Sequence, residues 1–333
     1  MKRSFQTVVC VFRSKSAERI SRGKPKTNDL TRKGMVIIMK NISVAEAALK
    51  WGISERSVRN YCAAGRVAGA RLAGKTWEIP DSAEKPRRSI RSDKKRTLLD
   101  ILREEKSARL SGGIYHRVQI DLTYNSNHIE GSKLTHDETR YIFETNTIGL
   151  SERAVNVDDI IETSNHFRCI DYMIDNAHLA LSEKYIKQLH FLLKSGTSDS
   201  RLDWFKVGEY KKLANEVGGM DTTAPRAVAK EMKALLDSYN TKREKRLEDI
   251  IAFHVAFERI HPFQDGNGRV GRLIMFGECL KHNIVPFIID EEHKLFYYRG
   301  LKEWNSERGF LTDTCLSAQD QFKLILKKFN IEI

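Results

Sequence analysis

His261-Pro262-Phe263-Gln264-Asp265-Gly266-Asn267-Gly268-Arg269-Val270-Gly271-Arg272 lies between two apolar runs of helical period, Glu248 to Ile260 and Arg269 to Lys281. In the first run Ile250, Ile251, Phe253, His254, Phe257 and Ile260 make one stripe. Pro262 disfavours the α conformation at His261, which ends the helix there and leaves the imidazole at the mouth of a loop. Gly266 and Gly268 bracket Asn267 and allow tight backbone turns that gather successive N–H groups where the next helix begins. Such a turn is an anion nest at the positive end of a helix dipole. Arg269 and Arg272, three apart, are expected to aim two planar cations at the same anion. Asp265 supplies the hard oxygen that Mg²⁺ takes when phosphates already hold it. Together these residues read as a nucleotide polyphosphate site with a poised base.

Outward from this loop helical periodicity dominates. Further helices are expected over Leu98 to Leu110, Tyr115 to Asn127, Thr135 to Glu144, Val157 to Asn176, Ser182 to Ser195 and Ala227 to Asn240, with more toward the C-terminus. One irregular insertion, Trp204 to Pro225, interrupts them. The fold class is mainly α, an all-α bundle over residues 98–333. His254 reads as a satisfied structural histidine, and Trp204 and Trp304 as core.

The twelve residues from His261 fit the HPFx(D/E)GNGRxxR signature of the Fic (filamentation-induced-by-cAMP) family at every specified position. The chain resembles that family over roughly residues 100–330, including "AFHVAFERI", "VGEYKKLANEVGG" and "YYRGLKEWN". The resemblance implies protein adenylylation: AMP passes from ATP, with Mg²⁺, to a Ser, Thr or Tyr hydroxyl of a target protein. It makes His261 the catalytic base and Asp265 the metal ligand, with Gly266, Asn267, Gly268, Arg269 and Arg272 around the phosphates. Tyr298 and Asn305, seven apart on a helix, resemble the family's adenine contacts. Gly268 stands where phosphate-transferring relatives carry Lys.

Ser126-Asn127-His128-Ile129-Glu130-Gly131 resembles the family's (S/T)xxxE(G/N) inhibitory pattern, which implies that Ser126, Glu130 and Gly131 form an N-terminal inhibitory helix end with Glu130 against Arg272. In some relatives the same Glu assists removal of AMP, and the resemblance leaves that open here. Asn215, Glu216, Val217, Gly218 and Gly219 resemble the β-hairpin flap that docks a target by strand addition. Family members often dimerise through the helical core, so a homodimer is one state the resemblance implies.

Residues 41–80 follow a different pattern. Ser43 and Glu46 form a capping-box pair before one short helix, Gly52 allows the turn, and Ser54 caps a second helix, Glu55 to Ala64. Ala70 to Leu72 and Thr76 to Ile79 then flank Gly74-Lys75 as a hairpin stopped by Pro80. The stretch resembles the excisionase and MerR-like winged helix-turn-helix modules. That resemblance places Ser54, Arg56, Ser57, Arg59 and Asn60 near DNA bases, with Arg71, Lys75 and the basic linker 81–97 on phosphates. A protein-docking module with a solvated basic face is the alternative. For the whole chain, the competitor to an enzyme is a DNA-binding regulator whose second domain only senses nucleotide.

Charge supports the division. Residues 1–97 hold 24 Lys+Arg against 8 Asp+Glu, and residues 98–333 hold 33 against 36, so the whole balance of +13 comes from the N-terminal third. Residues 1–40 have no hydrophobic period and are expected to be disordered. They are either a basic arm or a stretch upstream of a true start at Met35 or Met39. With 333 residues, 41% hydrophobic, wholesale disorder and collagen are excluded. No run approaches the roughly 18 apolar residues of a membrane span, and Met1 to Phe12 lacks the features of a secretory signal. The five cysteines are scattered, without metal-binding spacing. A cytoplasmic protein without membrane contact is the expectation.

Overall fold

The computed structural model describes residues 40–74, 76–86, 96–149 and 154–332. Backbone contacts divide the chain into two units, Met1–Asp93 and Lys94–Ile333. The expected disordered tail as far as Met39, Lys75, and the linker residues Arg87, Arg88, Arg91, Lys94 and Lys95 lie outside the described residues.

In the first unit Ser43 Oγ accepts the Glu46 amide at 3.2 Å and Glu46 returns a bond to the Ser43 amide at 2.7 Å, which starts helix α1 (Val44–Trp51). Gly52 ends it with φ 62°, and Ser54 caps α2 (Glu55–Ala63) through the Ser57 amide. Ala47, Ala48, Trp51, Val58, Cys62 and Ile79 are buried together. The hairpin forms from β2 (Arg71–Ala73) and β3 (Thr76–Pro80). The hairpin strand β3 ends at Pro80 as expected, and Asn41–Ile42 adds β1 along its other edge, with Ile42 opposite Ile79 and Asn41 opposite Pro80. Among the described residues the antiparallel order is β1-β3-β2. Arg56, Arg59 and Asn60 are exposed on α2, with Arg59 bridged to Glu55 at 2.6 Å. Arg71 pairs with Glu78.

The second unit is helical: α3 (Leu98–Ala108), α4 (Ile114–Ile129), α5 (His136–Thr145), α6 (Val157–Asn176), α7 (Glu183–Lys194), α8 (Pro225–Thr241), α9 (Leu247–Ile260), α10 (Asn267–Lys281), α11 (Glu291–Glu303) and α12 (Gly309–Lys328). Arg96, in the expected basic linker, bonds to Glu104 of α3. α10 is apolar on nearly every side, from Val270 and Leu273 through Phe276 and Leu280, and is accordingly the buried centre of the bundle. Gly277 lets α6 approach it, since a Cβ there would stand 2.8 Å from Met173 Cγ. Gly300 does the same between α11 and α12, where a Cβ would meet Leu311 Cα at 2.6 Å.

The insertion between α7 and α8 carries a hairpin, β4 (Glu216–Val217) and β5 (Met220–Asp221), turned by Gly218 and Gly219 at φ 57° and 76°. Two consecutive positive φ values are what a two-residue hairpin turn of matching twist requires. Trp304 is buried as expected, but Trp204, on the irregular insertion, is 42% exposed and meets Phe205 edge-on. No helix among the described residues is long and apolar enough to cross a membrane.

Candidate active site

α9 ends at Ile260, and His261 takes φ 50°, a left-handed conformation that turns the chain sharply out of the helix. Its Nδ1 lies 3.2 Å from the Glu258 carbonyl. A carbonyl only accepts, so Nδ1 carries the proton and Nε2 keeps a free lone pair. Burial, aided by the Lys211 ammonium, holds the imidazole below its ordinary value against the pull of that carbonyl bond. His261 is therefore neutral near pH 7.

Two side chains and one glycine shape the loop that follows. Asn267 accepts the Phe263 amide at 2.8 Å and donates to the Phe263 carbonyl at 2.9 Å. His190 accepts the Gly208 amide on Nδ1 at 2.9 Å and so donates from Nε2 to the Asp265 carbonyl at 3.1 Å, while its ring stacks on Phe263 at 3.9 Å. Gly266, at φ 79°, leads directly into α10. α10 thus begins at Asn267, two residues before the expected Arg269, because Gly266 alone makes the turn. Gly268 is helical, and its lack of a side chain matters for space: a Cβ would overlap the Glu130 carboxylate and stand 2.9 Å from Arg272 Nη1. The Asn267 amide is committed to the loop, so the first-turn N–H groups of α10 are what the site offers an anion.

The two arginines do not converge on one point. Arg269 bonds Glu162 of α6 and reaches Asp265 at 3.3 Å. Arg272 donates from Nη2 to Glu130 at 2.6 Å and to the Ser126 carbonyl at 2.9 Å, and from Nε to Ser126 Oγ at 3.1 Å. Neighbouring positions on one helix differ by about 60° at this spacing, and each long side chain finds the nearest carboxylate, one on α6 and one at the end of α4. Asp265 is half exposed and also pairs with the buried Lys194 at 2.7 Å. Burial would raise its pKa, but the Arg269 and Lys194 charges outweigh that and hold it well below the usual carboxylate range.

Gly131, at φ 101°, follows Glu130 out of α4. Tyr298 is half-exposed and its hydroxyl donates to the Ile129 carbonyl at 3.4 Å, one residue from Glu130. Asn305 is not on the same helix, which ends at Glu303; it accepts from Arg259 at 2.7 Å instead. His254 is buried and bonds Tyr297 at 2.6 Å, as a structural histidine does. Asn215 joins the hairpin to the loop, donating to the Phe263 carbonyl at 3.1 Å.

Lys194, Glu162, His190, Lys211 and Glu258 were absent from the sequence-level site. His190 and Lys194, four apart on α7, both face the loop, and that spacing was the available signal. Glu258 stands one turn before His261 with its side chain 12% exposed, and burial pushes its carboxyl up to about 8.

His166, His190 and His254 are each pushed down to about 3 by burial. Their folded values lie below the ordinary 6.5, so the unfolded chain binds more protons below that pH. The stability they contribute is complete above about pH 6.5 and is lost as pH falls toward 3. Glu258 works the other way between about 4.5 and 8, because the folded chain holds its proton. The balance of these groups near pH 5.5 is about two protons, so stability falls by a few kcal/mol, on the order of 3, per pH unit. The melting temperature is expected to drop steeply from pH 6.5 to 5, and a flat profile would contradict the assigned neutral histidines.

Comparison with known proteins bears on this geometry. The family model described as Fic/DOC family matches residues 180–277. "Protein adenylyltransferase Fic" of Drosophila virilis is 28% identical over 225 residues, covering 65% of this chain and 44% of that protein. The Aedes aegypti protein of the same name is 26% identical over 212 residues, covering 63% and 40%. The chain thus spans less than half the length of these relatives. Its fold resembles a Fic domain containing signaling protein from Bacteroides thetaiotaomicron, with TM-score 0.55 and 21% identity over 69% of this chain and 94% of that one. It also resembles Fic-1 from C. elegans, with TM-score 0.55 and 18% identity over 70% and 71%. Residues 180–277, which hold the loop from His261 to Arg272, are thus the part of the chain that matches the Fic/DOC family model.

Proposed function

We propose that the chain is a protein adenylyltransferase that moves AMP from ATP to a Ser, Thr or Tyr hydroxyl of a target protein and is inhibited by Glu130. The observation that carries the reading is the neutral His261, its Nδ1–H fixed on the Glu258 carbonyl and its Nε2 free, beside the open N-terminus of α10. The target hydroxyl oxygen attacks the α-phosphorus of ATP, its proton passes to Nε2, and the bond to the bridging oxygen breaks to release pyrophosphate. The α10 amides stabilise the charge that develops on phosphate oxygens.

Asp265 would hold Mg²⁺. One half-exposed carboxylate, with no group of three ligating His, Cys, Asp or Glu among the described residues, suits a metal that arrives on phosphates better than one caged by protein. Bound there, Mg²⁺ would offset phosphate charge. Glu130 occupies Arg272, the cation expected to fix the γ-phosphate, so ATP would bind misaligned until Glu130 leaves. The hairpin edge would receive an extended target segment by strand addition. The test is the Glu130→Gly chain with Mg·ATP, read by intact mass for an AMP adduct on itself or on lysate proteins, beside the Glu130→Gly/His261→Ala double variant. No adduct on either would refute the reading.

The first unit is read as a winged helix-turn-helix that binds DNA through α2, supported by exposed Arg56, Arg59 and Asn60 on a single helix. Binding of a duplex library is expected to weaken steeply with salt, and Arg56→Ala to weaken it by about 1–3 kcal/mol. Binding indifferent to both would favour protein docking.

A further inference from the structure

Lys211 is a buried ammonium with no carboxylate beside it among the described residues. Its Nζ donates to Asn215 Oδ1 at 2.6 Å, to Thr222 Oγ1 at 2.5 Å and to the Ile260 carbonyl at 3.4 Å. The first two acceptors stand on the two legs of the β4–β5 hairpin. The third is the last carbonyl of α9, immediately before His261. An ammonium has three donors, and all three are used.

Burying a cation without an opposite charge is unfavourable, and burial alone brings this group down to about 8. It is still charged at neutral pH. The negative end of the α9 dipole, where the Ile260 carbonyl points outward, offsets part of the desolvation. The main chain of the same residue reinforces the join, for the Lys211 amide donates to the Pro262 carbonyl at 2.9 Å. Asn215 continues it to the Phe263 carbonyl, and the Leu213 amide reaches Gln264 Oε1 at 3.2 Å. The hairpin itself has only two residue pairs, Glu216 with Asp221 and Val217 with Met220. So short a ribbon has little stability of its own, and its position depends on what holds its base.

We propose that Lys211 is a positioning residue: it staples both legs of the hairpin to the end of α9 and thereby fixes the docking edge relative to His261. This rests on the proposed role of the hairpin in seating a target. A methionine would fill the same space without donors, whereas an arginine would keep them.

Amide hydrogen exchange of the whole chain tests the staple directly. Lys211→Met is expected to speed exchange across residues 215–222 by about tenfold or more, while amides in α9 and α10 keep their rates. In the Glu130→Gly background it is also expected to slow self-adenylylation about tenfold without changing the thermal shift produced by Mg·ATP, and Lys211→Arg is expected to restore much of both. Thr222→Val removes one acceptor of the lysine together with the hydroxyl's own bond to the Asn215 carbonyl at 2.8 Å, so it serves only for comparison. Should the methionine variant not fold, Lys211→Gln, which keeps two donors on a shorter side chain, decides the matter by the same exchange readout, with faster hairpin exchange expected. Unchanged hairpin exchange in the folded variants overturns the proposal, as does a loss of protection spread evenly through α9 and α10. If the Glu130→Gly chain carries no adduct at all, the functional reading falls, and exchange alone still decides whether Lys211 is the staple.

Discussion

In the Glu130→Gly background, His261→Ala is expected to slow AMP transfer by about 10²–10⁴-fold, the range supplied by a positioned general base. Three features make the loss specific to chemistry. The side chain makes one hydrogen bond, to the Glu258 carbonyl, so little packing is lost. The left-handed backbone at φ 50° is held by the His261 amide on the Phe257 carbonyl at 2.9 Å, a main-chain bond that alanine keeps. The phosphate-facing amides of α10 and the guanidinium of Arg272 are untouched. The thermal shift caused by Mg·ATP should therefore persist while the adduct disappears, and initial rates by intact mass beside thermal unfolding measure the two separately. A variant that loses both would mean that His261 holds the loop rather than the proton. With Glu130→Gly alone, the acid limb of the rate profile should fall below pH 6.5, since the neutral imidazole is favoured by burial.

Glu130→Gly is expected to raise the rate of transfer by about 10–100-fold, the equivalent of displacing one charge-assisted bond of about 1.5–3 kcal/mol. The same change should lower stability in the absence of nucleotide. Arg272 is only 4% exposed, and loss of its carboxylate leaves a buried guanidinium with the Ser126 and Tyr297 oxygens in place of an ion pair. Breaking a fully buried pair costs about 3–5 kcal/mol. Glu130 is 30% exposed, so solvent screening reduces the expected loss to about 2 kcal/mol, or roughly 4–8 °C. Mg·ATP should recover more stability in the variant than in the parent, because a phosphate anion supplies the missing counter-charge. An equal thermal shift in both would argue against competition between Glu130 and nucleotide.

Local signals were the ones legible in the sequence. The helical periods, the Ser43–Glu46 capping box and the Gly218-Gly219 turn all depend on residues a few positions apart, and each was found in place. The loop from His261 to Arg272 was visible for the same reason. Pairings between distant residues were not: Glu162 meets Arg269 across 107 positions and Lys194 meets Asp265 across 71. On α7 Lys194 looked like any charge in a last helical turn, and only packing against α10 buries it. The two arginines misled because a three-residue spacing fixes where side chains start, not where their heads find a carboxylate. Tyr298 and Asn305 misled because a helix was carried past its end at Glu303.

Glu130 sits at the last turn of α4, where its amide bonds to the Asn127 carbonyl at 3.1 Å and Gly131 to His128 at 3.0 Å. Helix ends open far more readily than the buried turns before them. If Glu130 is the inhibitor, its departure needs only that final turn to unwind, while Val118, Leu122 and the rest of the helix stay packed. Waking such a domain is then a matter of tempo as well as affinity: its idling speed is set by how often one turn frays, and any partner that grips the loosened end lengthens each active interval without rebuilding the bundle.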